Sequence, residues 1–292
     1  MSAAAPNSSA FEYQTADCWE EAIKLRALWG EGAKLIAGGQ SLVPMINLRL
    51  AMPAALIDLN PIVSSGPWLD QGELVIPAMT RHRAVLDSPL VATHFPMLAK
   101  AVGLVGNVRV RNRGTIGGSV SHADPTGEIP CVVLAAGGRI VVQGPSGMRS
   151  VPADDFFLTY LTTATDLDEV VTEIRLPVAG DQDGWGFDEV TRRFSDFATV
   201  EVAVSARSRA SEEIPELRVV LGGVADRPLL LGEDILEPFR RLGADPQAID
   251  EVAQNAANSI SPESDVHASA DYRRRLTQVL TRRSLAQAVG LG

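Results

Sequence analysis

The feature that most constrains this chain is a pair of segments in which two consecutive glycines precede a serine. Residues 38–41 read Gly-Gly-Gln-Ser after an apolar run, and residues 117–119 read Gly-Gly-Ser. Because glycine has no Cβ, such a pair lets the backbone adopt left-handed angles and bring its N–H groups close to a ligand. Successive N–H groups that point the same way form an anion-binding concavity, and a helix just beyond adds its positive end. Two such loops predict a grip on one diphosphate, a group that dinucleotides carry.

Ordinary turns are the alternative, since glycine pairs are common in turns and this chain has others at residues 137–138 and 222–223. The neighbours of the first pair favour a strand, a glycine turn and a helix start. Ser41 is a good N-cap, and Pro44 fits a first helical turn, where its missing N–H costs nothing. No Gly-Lys-Ser/Thr follows any glycine loop, and no Gly-x-Gly-x-x-Gly opens a βαβ unit. A nucleotide site here is therefore neither a P-loop nor a Rossmann site.

Composition excludes several partners. The 292 residues suffice for two domains, and Lys+Arg 26 against Asp+Glu 36 gives a net charge of −10, so we expect no nucleic-acid partner. No apolar run approaches the roughly 18 to 20 residues of a membrane helix, so we expect no membrane insertion. Residues 1–10 show no secretory signal and predict a disordered start in a cytoplasmic protein.

Cysteine and histidine usage argues against a metal in this chain. Cys18 and Cys131 lie far apart with no Cys-x-x-Cys, which predicts buried free thiols and leaves any iron–sulfur cluster to another chain. The four histidines show no metal-ligand spacing, so we expect no protein-bound metal.

The first sixty residues predict a small βαβ-like subdomain. A helix capped by Thr15 or Asp17 runs to Trp29, a strand covers residues 34–37, a helix residues 42–50, and an apolar run residues 55–60.

Residues 61–178 predict a second subdomain of mixed helices and strands. Its predicted strands cover residues 73–78, 139–143, 149–151 and 170–176, and its helices cover residues 80–86, 96–104 and 129–136. Arg109, Arg111 and Arg113 alternate in a link ahead of the second glycine pair, where one strand face would carry all three. They either neutralise a phosphate or form a solvated face.

Residues 179–184 form the predicted boundary, rich in glycine and acids. Beyond it, strands at 185–193, 200–207 and 217–222 predict one antiparallel sheet, followed by helices at 232–242, 246–257 and 271–289. The last is predicted to face a core with Leu276, Val279, Leu280 and Leu285, and solvent with Arg273, Arg274, Arg275, Arg282 and Arg283. The fold class is therefore α+β.

Three separated motifs, in order, carry a family resemblance. Residues 37–44 (Ala-Gly-Gly-Gln-Ser-Leu-Val-Pro), 110–119 (Val-Arg-Asn-Arg-Gly-Thr-Ile-Gly-Gly-Ser) and 122–125 (His-Ala-Asp-Pro) resemble the FAD-binding medium subunit of molybdenum hydroxylases. That family includes carbon monoxide dehydrogenase, xanthine dehydrogenase and bacterial dehydrogenases of N-heterocycles. The resemblance extends over nearly the whole chain. It implies a two-subdomain FAD-binding fold of the vanillyl-alcohol-oxidase/PCMH type over residues 1–178, then a C-terminal domain of the CO dehydrogenase flavoprotein type over residues 184–292.

The resemblance also implies the cofactor and its ligands. The FAD contacts that it implies are Ile36, Ala37, Gly38, Gly39, Gln40, Ser41, Leu42, Val43, Thr115, Ile116, Gly117, Gly118, Ser119, His122, Asp124, Val171 and Arg193. The hydroxyls of Ser41, Thr115 and Ser119 would add bonds to the diphosphate.

Several of these positions stay open on the residues alone. From the sequence, Asp124 is an N-cap for the helix that follows, whereas the resemblance makes its carboxylate an acceptor for the ribose or adenine end. His122 is expected to be structural. Arg192 is an alternative to Arg193 as a flavin contact, and a surface charge on a strand is the equal alternative for both. Leu158 stands where the family usually has glycine, which leaves a flavin contact by Tyr160 open.

The implied function is that of a subunit with no catalytic residue of its own. A molybdenum large subunit with a molybdopterin cofactor oxidises the substrate, which is CO, an aldehyde or an N-heterocycle. A small subunit with [2Fe-2S] clusters relays electrons, and FAD in this chain passes them to an external acceptor, in a dimer of heterotrimers. The alternatives are a self-sufficient PCMH-type flavoprotein oxidoreductase and a non-redox nucleotide-binding module.

Overall fold

The structure of the chain is a computed structural model that describes residues 11–180, 183–207 and 216–291. The predicted disordered start, residues 1–10, and residues 181–182 of the predicted boundary lie outside the described residues.

The first unit is a three-stranded parallel sheet covered by a helix. Its strand order is β1-β3-β2, and Ala22 and Ile23 of its first helix are buried against the sheet residues Ala33, Ala55 and Ile57. Because β2 and β3 are parallel neighbours, their carboxyl ends lie side by side, with Ile36 opposite Asp58. The elements are β1 Glu12–Thr15, α1 Trp19–Trp29, a short 3-10 turn Gly30–Gly32, β2 Ala33–Ile36, α2 Leu42–Asn47 and β3 Ala55–Asp58.

The predicted βαβ arrangement of this unit is confirmed, but its first strand was not predicted. Residues 12–15 pair with β3 at the sheet edge, and three of the four are exposed, so no polarity alternation reveals them. The first helix consequently begins at Trp19 and not after Thr15 or Asp17. Its N-cap, Cys18, is exposed, which contradicts the expectation of two buried thiols; Cys131 is buried as predicted.

The second unit is a five-stranded antiparallel sheet with helices packed on one face. Its strand order is β4-β5-β10-β6-β7, so the strand that comes last in the chain lies at the centre. The apolar face of that strand joins α5, α7 and α8 in the largest core. The elements are β4 Trp68–Asp70, β5 Glu73–Pro77, α3 His82–Leu86, α4 Pro89–His94, α5 Pro96–Leu104, α6 Val108–Arg113, α7 Ile116–His122, α8 Glu128–Ala135, β6 Arg139–Gly144, β7 Gly147–Pro152, α9 Ala153–Phe156, β8 Phe157–Thr159, β9 Thr162–Thr163 and β10 Val170–Pro177.

The predicted arginine strand at residues 105–113 is wrong. Asn107 accepts hydrogen bonds from the amides of Arg109 and Val110 at 2.9 and 3.3 Å and so starts α6. The arginines therefore do not share a strand face. Arg111 donates to the carbonyls of Val105 and Gly106, at the end of α5, and is structural.

The third unit is an antiparallel sheet, β11-β12-β13-β14, sandwiched between two layers of helices. On one face Val200, Val202 and Val204 pack under α10, α11 and α12. On the other, Phe187 and Ala203 join the core of the second unit. The predicted antiparallel sheet and its three helices are confirmed. The elements are β11 Gly184–Thr191, β12 Ala198–Arg207, β13 Glu216–Gly222, β14 Leu229–Leu230, α10 Glu233–Leu242, α11 Pro246–Ser259 and α12 Ala270–Ala288.

Two residues of α12 face opposite to expectation. Arg273 is only 7 % exposed and donates to Asp265 at 2.7 Å and to the Gly223 carbonyl at 3.0 Å, whereas Val279 is 40 % exposed. Small residues meet the sheet instead: Ser284 and Ala288 lie so close to β11 that only glycine fits opposite them. Among the described helices, none is long and apolar enough to cross a membrane.

Candidate cofactor-binding site

The first glycine segment connects the end of β2 to α2. Gly39 adopts φ +71°, in the left-handed region that favours glycine, and its carbonyl accepts from the amide of Val43 at 3.1 Å. Ser41 occupies the predicted N-cap position of α2, but its hydroxyl makes no capping hydrogen bond. The amides of residues 38–41 donate no hydrogen bond to any residue in the described part of the chain. These four consecutive N–H donors lie on partly or fully exposed residues just before α2, so they are available to a ligand.

A cleft of about 420 Å³ opens beside these amides, within the size range of ligand pockets. Of the predicted site residues, it brings together Ile36, Ala37, Gly38, Gly39, Gln40 and Val43. The other lining residues are Tyr13, Pro44, Asp58, Asn60 and Arg113. Of these, Arg113 was predicted as a phosphate-neutralising alternative and Pro44 as part of the family motif, but the sequence did not predict Tyr13, Asp58 or Asn60.

Asp58 is the last residue of β3, the strand next to β2, and Asn60 follows it. Asp58 accepts from the Tyr13 hydroxyl at 2.5 Å and from the Asn60 amide at 2.9 Å. Partial burial acts to raise the pKa of Asp58, but these hydrogen bonds outweigh it and the pKa is lowered. Asn60 Nδ2 donates to the Ala37 carbonyl at 2.9 Å and so holds the start of the glycine segment. Sequence reasoning could have found Asp58 and Asn60, because the carboxyl ends of neighbouring parallel strands lie at the same edge of a sheet.

The second glycine pair has a different structure from the one predicted. It is preceded by α6, not by a strand, and it occupies the first turn of α7. Thr115 caps that helix by accepting from the Gly118 amide at 3.1 Å, and the Gly117 amide donates to the Ala78 carbonyl at 2.9 Å. A Cβ on Gly117 would lie 2.4 Å from that of Ala78. Glycine is therefore required here for close packing, and these two amides are already used within the protein.

The two glycine segments nevertheless meet. A Cβ on Gly38 would lie 2.3 Å from the Arg113 carbonyl oxygen and 2.7 Å from the Gly114 Cα. Arg113 itself lines the cleft, so one of the three predicted arginines does stand beside the free amides. The two glycine segments are therefore close together, as predicted. Among the described residues, however, the unpaired backbone N–H groups at the cleft belong to the first segment.

A buried histidine contacts the second glycine segment. His82 Nε2 lies 3.0 Å from both the Thr115 carbonyl and the Ser119 hydroxyl, and the ring is 3 % exposed. Burial lowers the pKa of His82 to about 4, so its imidazole is neutral at pH 7. Ser119 therefore faces His82.

The loop after α7 holds Asp124 in a turn. Its Oδ1 accepts from the Thr126 amide at 2.9 Å and from the Thr126 hydroxyl at 2.7 Å. The N-cap of α8 is Gly127, so the sequence-derived capping role of Asp124 is wrong. His122 ends α7; burial lowers its pKa, and the nearby Asp124 charge opposes that shift.

The remaining predicted contacts lie apart from the cleft lining. Val171 is 5 % exposed in the core of the second unit. Arg193 is exposed in the turn between β11 and β12, and Arg192 next to it contacts His267 Nδ1. Ser41, Leu42 and the segment 115–119 adjoin the lining residues along the chain without forming part of it.

Comparison with known proteins identifies the family. Residues 9–179 match the model described as the FAD binding domain in molybdopterin dehydrogenase, and residues 185–288 match the CO dehydrogenase flavoprotein C-terminal domain. The chain belongs to the FAD-binding medium subunits of the molybdenum hydroxylases. It is thus a flavoprotein subunit of an oxidoreductase, with FAD as its cofactor.

Individual members are similar along nearly their whole length. The nicotine 6-hydroxylase medium subunit of Paenarthrobacter nicotinovorans is 37% identical, over 88% of this chain and 90% of that protein. The carbon monoxide dehydrogenase medium chain of Hydrogenophaga pseudoflava is 35% identical, over 95% of this chain and 96% of that protein.

Solved structures agree with this assignment. Carbon monoxide dehydrogenase from Hydrogenophaga pseudoflava, in a form lacking the Mo-pyranopterin moiety, matches with a TM-score of 0.90 and 36% identity over 96% of this chain and 98% of that one. Quinoline 2-oxidoreductase from Pseudomonas putida 86 matches with a TM-score of 0.87 and 31% identity over 97% and 98%. The family assignment favours the subunit over both alternatives, the self-sufficient enzyme and the non-redox module.

Proposed function

We propose that this medium subunit holds the diphosphate of FAD on the free amides of residues 38–41, beside Arg113. The observation that carries the proposal is the run of four consecutive N–H donors without a partner in the described chain, three of which belong to the cleft-lining residues Gly38, Gly39 and Gln40. Anions are favoured where backbone N–H groups converge, and a guanidinium adds charge-assisted bonds. The residues present therefore fit the group.

The other predicted contacts are retained as proposals with altered roles. The Thr115 hydroxyl donates to the diphosphate while its oxygen caps α7, and the Asp124 carboxylate accepts from a ribose or adenine donor with the oxygen that Thr126 leaves free. Ile116, Gly117, Gly118, Ser119 and His122 shape the second segment. Contacts by Leu42, Val171 and Arg193 stay predictions.

The proposed role in the complex is electron transfer. FAD, when bound, supplies the capacity to take up and release two electrons, while the protein binds and orients it. We propose that a small subunit with [2Fe-2S] clusters delivers the electrons, that a large molybdenum subunit oxidises CO, an aldehyde or an N-heterocycle, and that an external acceptor receives the electrons. A dimer of heterotrimers and a cytoplasmic location complete the proposal, and residues 1–178 and 184–292 are its two domains.

Gly39→Val tests the diphosphate site, and Gly243→Val is a matched control. Both glycines have nearly the same left-handed φ, +71° and +72°, but only Gly39 lies at the cleft. We expect both variants to lower the melting temperature, because a β-branched residue is strained at such angles. Only Gly39→Val should weaken FAD binding, by about tenfold or more, measured by quenching of flavin fluorescence on the flavin-free full chain. Equal FAD affinity in the two variants would contradict the proposed site, and a wild-type chain that does not bind FAD would contradict the proposed function.

A further inference from the structure

One arginine side chain bridges the two glycine segments. Arg81 Nη2 donates to Asn60 Oδ1 at 2.6 Å, and its Nη1 donates to the Arg113 carbonyl. Asn60 in turn donates to the Ala37 carbonyl, at the start of the first glycine segment. The Arg113 carbonyl is also the atom against which Gly38 packs. A continuous set of hydrogen bonds thus joins one wall of the cleft to the other.

The backbone and burial of Arg81 fix this side chain in place. Arg81 pairs with Thr115 as an isolated antiparallel bridge, with the His82 amide donating to the Gly114 carbonyl at 3.0 Å. The guanidinium is half-buried, and burial lowers the pKa of Arg81, with the nearby charge of Arg113 adding to the shift. The charge of Asp58, which lines the cleft, opposes this shift and also acts on Arg113. Two guanidinium groups and one carboxylate therefore lie close together beside the cleft.

We propose that Arg81 is a positioning residue for FAD, which sets the spacing between the first glycine segment and residues 113–114 through Asn60 and the Arg113 carbonyl. The inference rests on the proposed function of the cleft. Planar guanidinium donors suit this role, because one group can serve two acceptors in fixed directions, whereas a lysine ammonium is a flexible point charge. Arg81 acts on the cofactor through the residues that it holds and is not itself part of the cleft lining.

The test uses the flavin-free full chain with the variants Arg81→Met, Arg81→Lys, Asn60→Ala and the double variant Arg81→Met/Asn60→Ala. Arg83→Met is the matched control, because Arg83 lies two residues further on, in α3, is exposed and pairs with Asp87. The readouts are the FAD dissociation constant, the visible circular dichroism of bound FAD and the melting temperature of the flavin-free protein.

We expect Arg81→Met to weaken FAD binding about tenfold or more, and Arg83→Met to change it by less than about twofold. The double variant should bind FAD about as weakly as whichever single variant binds it less tightly. The reason is that both substitutions break the same hydrogen bond, between Arg81 and Asn60. Arg81→Lys should resemble Arg81→Met and change the circular dichroism of bound FAD. If Arg81→Met does not fold, Arg81→Lys replaces it in the comparison with Arg83→Met.

Three results would overturn the inference. One is an FAD affinity of Arg81→Met within about twofold of wild type. Another is full additivity of the two single substitutions. The third is wild-type affinity and circular dichroism in Arg81→Lys, which would show that charge alone suffices. Each would leave the proposed function standing, provided that the wild-type chain binds FAD, whereas a wild-type chain without FAD affinity would remove the proposed function first.

Discussion

The two roles of Asp124, in the turn and in the proposed FAD contact, can be separated by substitution. Its Oδ1 is shared between the amide and hydroxyl of Thr126. Asp124→Ala should weaken FAD binding about tenfold or more, because a charge-assisted hydrogen bond contributes about 1.5 to 3 kcal/mol. Thr126→Val is the control, since it removes a bond within the turn and keeps the carboxylate. Isothermal titration of the flavin-free chain measures both. If the two variants lose the same affinity, Asp124 serves only the turn.

His82 makes the chain sensitive to acid. Its pKa is about 4 in the folded protein, because burial disfavours the charged ring, against about 6.5 when unfolded. A depressed pKa contributes stability that is present above pH 6.5 and is lost as the pH falls towards 4. Between about pH 7 and pH 4.5 the wild type should lose about 2 to 3 kcal/mol more than His82→Gln, measured by guanidinium unfolding. The partly exposed His94 provides the control: His94→Gln should follow the wild type.

Individual residues of the site were predictable where chemistry depends on residue type alone. The glycine at position 39 and the amides around it follow from the sequence, because a left-handed turn before a helix demands glycine. The position of Asp58 at the cleft could be predicted once two parallel strands were predicted. Arg81 was not, because its role depends on an asparagine and a carbonyl that only the folded chain brings together.

Two glycines of β11, Gly184 and Gly186, let α12 pack closely against that strand. A Cβ on Gly186 would lie 2.0 Å from the Ser284 carbonyl oxygen, so Gly186→Ala forces the helix away from the sheet. We expect a loss of about 1 to 3 kcal/mol of unfolding free energy, the usual cost of overpacking. Gly103→Ala is the control: it lies within α5 with its nearest neighbour at 3.8 Å, and should be neutral or stabilising by up to about 1 kcal/mol. Chemical denaturation measures both, and equal effects would show that the helix can shift without cost.

Whether an element was predictable depended on its burial. The helix Pro96–Leu104 was predicted with its observed bounds because its apolar residues repeat at helical spacing between clear boundaries. The edge strand Glu12–Thr15 is mostly exposed and carries no such pattern. The helix Val108–Arg113 mimics strand alternation, and the capping bonds of Asn107 override that pattern.

In the whole molecule, the third unit docks on the second through polar groups as well as apolar ones. The last carbonyls of α8 accept from Ser205 at 2.8 Å and from Arg207 and Arg218 at 3.0 Å. Donors from the sheet thus satisfy a helix end that would otherwise be buried without partners. The sequence could not predict this, because the three donors lie on two strands and resemble an ordinary polar pattern.

The same contact buries two acids, Glu128 and Glu201, and partly buries a third, Glu189, which should make the stability of the molecule depend on pH. Burial raises the pKa of Glu128 to about 8 and that of Glu189 to about 7, and it raises the pKa of Glu201, whose carboxylate oxygens have no described partner. Asp124, Asp188 and Cys131 also lie near these acids, and the Lys100 charge opposes the shift at Glu189. Raised acid pKa values contribute stability that is complete below about pH 4.5 and is lost as the pH rises through about 8.

Replacing Glu201 should therefore reduce this loss. Glu201→Gln keeps the size of the side chain and removes its proton equilibrium, so stability should fall less between about pH 5.5 and pH 8 than in the wild type, by at least about 1 kcal/mol. Guanidinium unfolding at the two pH values measures the difference. Glu237→Gln, on the exposed face of α10, should parallel the wild type. If Glu201→Gln loses as much unfolding free energy as the wild type over this interval, Glu201 does not cause the pH dependence of stability.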